Sequence, residues 1–200
     1  AAGLRAAGAV IIAKANLSEW ANYRGWRSTS GWSGLGGQCA NPYALDRNPS
    51  GSSSGSAAAA SANLCAAAVG TETNGSIMGP SSVCGIVGLK PTVGLVGRSR
   101  IVPMSRTWDT AGPMARTVSD AAALLTAIAG HDADDPATDS GRGQFSKEYT
   151  RFLRPDGLRG KRVGVARRYF NVSYLANPVF DDSVAALKDT GAEVVDPVEI

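Results

Sequence analysis

Histidine is almost absent from this 200-residue chain, where His131 stands alone. One imidazole argues against a histidine-built metal cage. The three cysteines, Cys39, Cys65 and Cys84, do not replace it, because no two stand in Cys-x-x-Cys spacing. Their odd number also argues against a disulfide framework, so buried free thiols are expected, with no metal and no cofactor. Charge is sparse as well: 18% of residues are charged, the net charge is +3 and the basic residues are scattered. That pattern leaves no footprint for a nucleic-acid partner. No apolar stretch approaches the roughly twenty residues of a membrane-spanning helix, so no membrane partner is expected. No signal peptide is recognisable, but the chain opens on Ala1 rather than Met, so its compartment, cytoplasmic or secreted, stays open, as does its oligomeric state. With 44% hydrophobic residues the chain is long enough to bury a substantial core without staples.

Small residues are what the chain has in quantity, and they concentrate in residues 50–94. Gly51-Ser52-Ser53-Ser54-Gly55-Ser56 is a loop whose glycines permit sharp turns and expose backbone N–H groups. The alanine-rich segment Ala57 to Ala68 follows and predicts a helix, with the serines as caps. Val69 to Thr73 reads as extended, and Asn74-Gly75-Ser76 as a tight turn with positive φ. A turn that presents Ser76 beside several free amides has the parts for acyl transfer: a hydroxyl to attack a carbonyl, and donors for the oxyanion that results. Val83 to Leu89 then reads as a buried run. A flexible linker would explain Gly51–Ser56 alone, but not the helix, second turn and apolar run behind it.

These residues resemble the amidase signature family. Its pattern of a Gly-Ser-rich loop, a helix, Gly-Thr-Asp-x-Gly-Gly-Ser and Cys-Gly-x-x-Gly-Leu-Lys-Pro-Thr stands here as Gly51–Ser56, Gly70-Thr71-Glu72-Thr73-Asn74-Gly75-Ser76 and Cys84 through Thr92. Asn16-Leu17-Ser18-Glu19-Trp20-Ala21-Asn22 and Asp109 through Arg116 are most similar to the peptide amidase branch. The resemblance implies amide hydrolysis with Ser76 as the acylated nucleophile and Ser52, after a cis Gly51–Ser52 peptide, relaying protons to a lysine. It implies an oxyanion hole from the backbone N–H groups of Thr73, Asn74, Gly75 and Ser76, with Ser53, Thr71 and Lys14 in supporting positions. The family's catalytic lysine sits on an earlier strand in an apolar-x-Lys-Asp/Glu context, which Lys14 does not match. The base is therefore expected upstream of residue 1, the chain reads as a fragment, and these 200 residues alone are expected to be inactive. The substrate implied is a small-molecule or peptide amide. Three positions depart from the pattern: Asn74 where glycine is usual, Glu72 where aspartate is usual, and Met78 where arginine is frequent. Loss of that cation makes a neutral C-terminal amide a better fit than an acidic substrate.

The rest of the chain predicts an α/β fold, in the resemblance α/β/α layers around a twisted mixed sheet, of which this is a part. Residues 1–200 are expected to belong to a single amidase domain, its signature core at about 31–135 and 156–200 a continuing α/β segment. Ala1 to Arg5 reads as a helix end stopped by Gly8, Ala9 to Ala13 as a buried strand, Leu17 to Tyr23 as a short helix, and Gly25 to Pro49 as a surface wrap. Gly94 to Ser105 reads as loop and strand, Thr107 to Arg116 mainly as a fixed loop, and Thr117 to Gly130 as a capped helix. Asp132, Asp134 and Asp135 read as a solvated loop rather than a metal site. Arg162 to Ala166, Pro178 to Thr190 and Ala192 to Val195 form a strand–helix–strand pattern.

Two rivals remain. Gly51-Ser52-Ser53-Ser54-Gly55 satisfies G-x-S-x-G, the nucleophile elbow of α/β-hydrolases, which would make Ser53 the nucleophile, His131 the base and Asp109 its orienting acid. The turn-like stretch before it, where an elbow needs a strand, speaks against that. The other rival is a catalytically inactive relative that keeps the fold as a binding protein.

Overall fold

A computed structural model describes residues 1–169 and 174–199. The chain divides into two compact units, Ala1–Thr150 and Arg151–Ile200. In the first, a three-stranded antiparallel sheet carries β3 (Ala67–Glu72) and β4 (Val87–Gly88) on either side of β5 (Thr110–Ala115). Helix α1 (Ala2–Ala6) and the two-residue strands β1 (Trp32–Ser33) and β2 (Gly37–Gln38) precede it. Helix α2 (Ser54–Ser61) leads into β3, α3 (Met78–Val83) lies between β3 and β4, and α4 (Val118–Ile128) follows β5. The second unit pairs β6 (Arg162–Gly164) in parallel with β7 (Glu193–Val195), joined through α5 (Ala176–Asp189). The fold is mixed α/β, as the residue pattern predicts.

All six residues of β5 are buried, although Gly112-Pro113 within it is a turn signal. The expected loop is instead the central strand. Pro113 is tolerated because the main-chain polar groups of one strand residue point to one side. Its carbonyl accepts from Leu89 N at 3.1 Å, so its missing N–H faces the end of β4, and the ladder to β3 loses nothing. The core at this point joins Ala57, Ile77, Cys84 and Met114, all fully buried, so one cluster ties α2, the Ser76 turn, the end of α3 and the central strand. Burying side chains the size of Ile77 and Met114 contributes roughly 1.5–3 kcal/mol each.

Helix α2 begins and ends earlier than its alanines predict. It starts at Ser54 and stops at Ser61; Ala67 and Ala68 lie in β3. Asn63 turns the chain to a φ of 60°, and the Arg116 guanidinium donates to the carbonyls of Ala60 (2.8 Å) and Cys65 (3.0 Å), closing the helix end where cations are favoured. Helix α4 has its expected cap, Thr117 Oγ1 accepting from Asp120 N, and buries Ala121 and Leu125. Ala9–Ala13 forms no strand: it has no ladder partner among the described residues, and Val10 is 85% exposed. In place of the short helix at Leu17–Tyr23, Trp20, Ala21 and Asn22 all take positive φ in a 3₁₀ turn spanning Glu19–Asn22. Of the run Val83–Leu89 only Cys84 is buried.

Candidate active site

The two serine loops meet main chain to main chain. Ser53 N donates to the carbonyl of Ser76 at 3.1 Å, which brings the segment containing Ser52 against the turn containing Ser76. The Gly51–Ser52 peptide is cis and Ser52 is buried. Its carbonyl accepts from Ser18 N at 2.9 Å, while Ser18 Oγ bonds Ser54 Oγ (3.0 Å) and accepts from Gly31 N (2.7 Å). A Cβ on residue 51 would lie 2.3 Å from Ser18 Oγ, so glycine is required by close approach. Gly55 N donates to the Asn16 carbonyl, and the Asn16 side chain reaches Gly31, Gly37 and Ser33. Residues 16–18 therefore form the seat of the first loop.

Ser53 does not cap α2 through its side chain. Its hydroxyl accepts from Thr71 N and donates to Thr71 O, both at 3.0 Å, stitching the loop to β3. Those two bonds give Ser53 and Thr71 a common structural task. Lys14 lies on an exposed segment.

The second loop is shaped by Glu72. Its buried carboxylate accepts from Ile77 N at 2.7 Å and Met78 N at 2.9 Å, folding the chain back directly after Ser76. Gly75 supplies the positive φ of 80° that the turn needs. The amides of Thr73, Asn74, Gly75 and Ser76 find no acceptor among the described residues. Four adjacent unpaired donors beside a half-buried serine can receive a negative oxygen.

Asp109 fastens this loop to the next one. Its Oδ1 accepts from Thr73 Oγ1 at 2.5 Å, and Oδ2 accepts from Met104 N and Ser105 N at 2.7 and 2.8 Å. Burial pushes its carboxyl up, but those donors and the Arg98 charge outweigh burial and hold it below the ordinary value. Arg98 in turn forms a two-pronged pair with Asp135, both contacts at 2.8 Å, and donates to the carbonyls of Arg106 and Asp109. Asp135 is buried, which corrects the expected solvated loop. The hydrogen bond from Arg98 outweighs burial and lowers its carboxyl to about 2. Asp132 accepts from Ser99 Oγ and Asp134 N, so two of the three aspartates are engaged in holding loops together.

The Ser53–His131–Asp109 set is not brought together as a triad. His131 Nε2 faces Asp139 (3.0 Å) and Arg142 (2.6 Å), and both the Ser53 hydroxyl and the Asp109 carboxylate have other partners. Sequence reasoning marks Glu72 only as a departure and misses Ser18; the one signal for both is position inside a motif. The Thr73–Asp109 bond joins residues 36 apart and has no local signal.

A cleft of about 380 Å³ opens beside Thr73, lined also by Tyr23, Met104, Ser105, Thr107 and Trp108. A second, of about 490 Å³, lies along the Arg98–Asp135 pair, and its lining includes neither serine loop.

The Amidase family profile matches residues 1–199. A probable amidase of Arabidopsis thaliana is 46% identical over 98% of the chain and 37% of its own length. One subunit of the glutamyl-tRNA(Gln) amidotransferase of Acinetobacter baumannii is 40% identical over 96% of the chain and 38% of its own length. The X-ray structure of native peptide amidase from Stenotrophomonas maltophilia superposes with a TM-score of 0.92 at 54% identity, over 99% of this chain and 40% of that one. The chain thus spans about two-fifths of the length of these relatives. Serine loops seated on one another, a cis peptide at the first and unpaired amides at the second accompany a match that runs from end to end: the chain belongs to the amidase family.

Proposed function

We propose that the protein hydrolyses carboxylic amides through an acyl-enzyme on Ser76. The observation that carries this is the Ser53 N–Ser76 O bond, which holds Ser52 beside a turn with four unpaired amides. In this reading Ser76 Oγ attacks the amide carbonyl. Its proton passes through Ser52 to a neutral lysine, and the amides of Thr73, Asn74, Gly75 and Ser76 bind the oxyanion. The proton is returned to the departing amine, and water then attacks the acyl-enzyme by the same relay. A lysine acts as base only when its ordinary value near 10.4 is lowered, which burial does. Lys14 is exposed, so we assign the base to a lysine outside these 200 residues and Lys14 to the structure around the seat. We take residues 1–200 as part of one amidase domain, with 31–135 as its signature core and 156–200 continuing it.

The substrate we favour is a neutral C-terminal amide. Met78 puts a thioether, not a cation, two residues after Ser76, and a peptide amidase is among the relatives at 54% identity.

The test is fluorophosphonate labelling of the full-length protein, with the modified residue mapped by mass spectrometry. Label on Ser76, lost in Ser76→Ala and kept in His131→Ala, is expected. Label on Ser53 that vanishes in His131→Ala would replace this mechanism with a serine–histidine one, and no label at all would favour a binding relative. Residues 1–200 alone are expected to turn over no amide; turnover by them would return Lys14 as base.

A further inference from the structure

We propose that the cleft lined by Tyr23, Thr73, Met104, Ser105, Thr107 and Trp108 receives an apolar or aromatic side chain on the acyl part of the substrate. The inference rests on the amidase reading of Ser76 and adds what that site selects. Thr73 belongs both to the cleft and to the row of unpaired amides, so the cleft adjoins the turn that carries Ser76. For a terminal amide the leaving group is only ammonia. Everything in the substrate large enough to occupy about 380 Å³ is therefore on the acyl side.

The lining decides the chemistry. None of the six residues carries a formal charge at neutral pH, and three present large apolar or aromatic surface. Tyr23, Trp108 and Met104 are all exposed, so each is open to contact from a substrate group. The nearby carboxylate of Asp109 does not offer its charge to the cleft, because both oxygens are taken by Thr73, Met104 and Ser105. Those same bonds fix the cleft's width. Oδ1 holds the Thr73 wall and Oδ2 the Met104–Ser105 wall, so one carboxylate spaces the two sides. A flat ring would find an indole and a phenol as stacking partners and a thioether at its edge.

The experiment compares kcat/KM of the full-length protein on N-acetylated phenylalanine, leucine, glycine, glutamate and lysine amides. Phenylalanine and leucine amides are expected to exceed glycine amide by about tenfold or more, and the two charged amides to fall below it. Trp108→Ala should lower the phenylalanine-to-glycine ratio about tenfold and Trp108→Phe should retain most of it, with Met104→Ala as an independent probe of the other wall. Ratios that stay constant in all three variants while Ser76 still labels would overturn the subsite and leave the amidase reading standing. A preference for charged amides would do the same. A wild-type protein that never labels on Ser76 would remove both.

Discussion

Arg98 and Arg167 each hold aspartates, in surroundings that differ mainly at the arginine. Arg98 grips the buried Asp135 with two parallel bonds, and its side chain and that of Asp135 are 15% and 7% exposed. Arg167 reaches Asp196 at 2.6 and 2.7 Å and also pairs with Asp181, but its side chain is 40% exposed, with Asp181 at 56% and only Asp196, at 14%, sheltered. Counting carboxylate partners alone would rank Arg167 above Arg98. Water reaches Arg167 and Asp181, whereas it is largely excluded from both members of the Arg98 pair, where losing one partner strands a charge. Only Arg98 also touches the candidate site, through the Asp109 carbonyl.

The largest expected break in this comparison is Asp135→Ala, which should cost roughly 4 kcal/mol, read as a fall in denaturant midpoint, because Arg98 is left without its partner. Glu72→Ala should follow at roughly 3 kcal/mol, since the amides of Ile77 and Met78 lose a charged acceptor, and amide turnover should fall with it. Acid sharpens the contrast. The Asp135 carboxyl is depressed from 3.8 to about 2 in the folded protein, so its contribution is complete above about pH 4 and lost as pH falls toward 2. Asp135→Asn should therefore flatten the acid limb of a stability–pH curve between those values. Thr73→Val, which removes one hydroxyl from Asp109, should cost about 1 kcal/mol and lower kcat more than it raises KM. Arg167→Ala should lower the denaturant midpoint by less than Asp135→Ala does, because Arg167 itself is open to water although the sheltered Asp196 loses its partner.

Where the chain could be read in advance follows from what kind of order each part uses. β6, α5 and β7 answer to hydrophobic period, although of the three residues on α5 that the pattern turns inward, Val184 is buried, Leu187 half-buried and Val179 66% exposed. The two loops that carry Ser52 and Ser76 are legible by motif, because turns built from glycine and serine leave a local trace. β5 was not, since Gly112-Pro113 speaks locally of a turn while pairing on both sides makes it a strand. The apolar run Val10–Ile12 reads as a buried strand but has no ladder among the described residues, and a strand exists only with a neighbour. The contacts that brace the site, Thr73 to Asp109 and Arg98 to Asp135, span 36 and 37 residues, a range at which one sequence carries no pairing signal.

Pro113 has one more consequence. If β5 slid by one residue along β3, every one of its residues would turn to the opposite side, and the residue without an N–H would then face β3 rather than the end of β4. The misaligned sheet would lack a donor that no rearrangement of side chains can supply. An imino acid in the middle of the sheet thus acts as a key cut for one alignment, and the turn carrying Ser76, which follows directly from β3, inherits its position from that alignment.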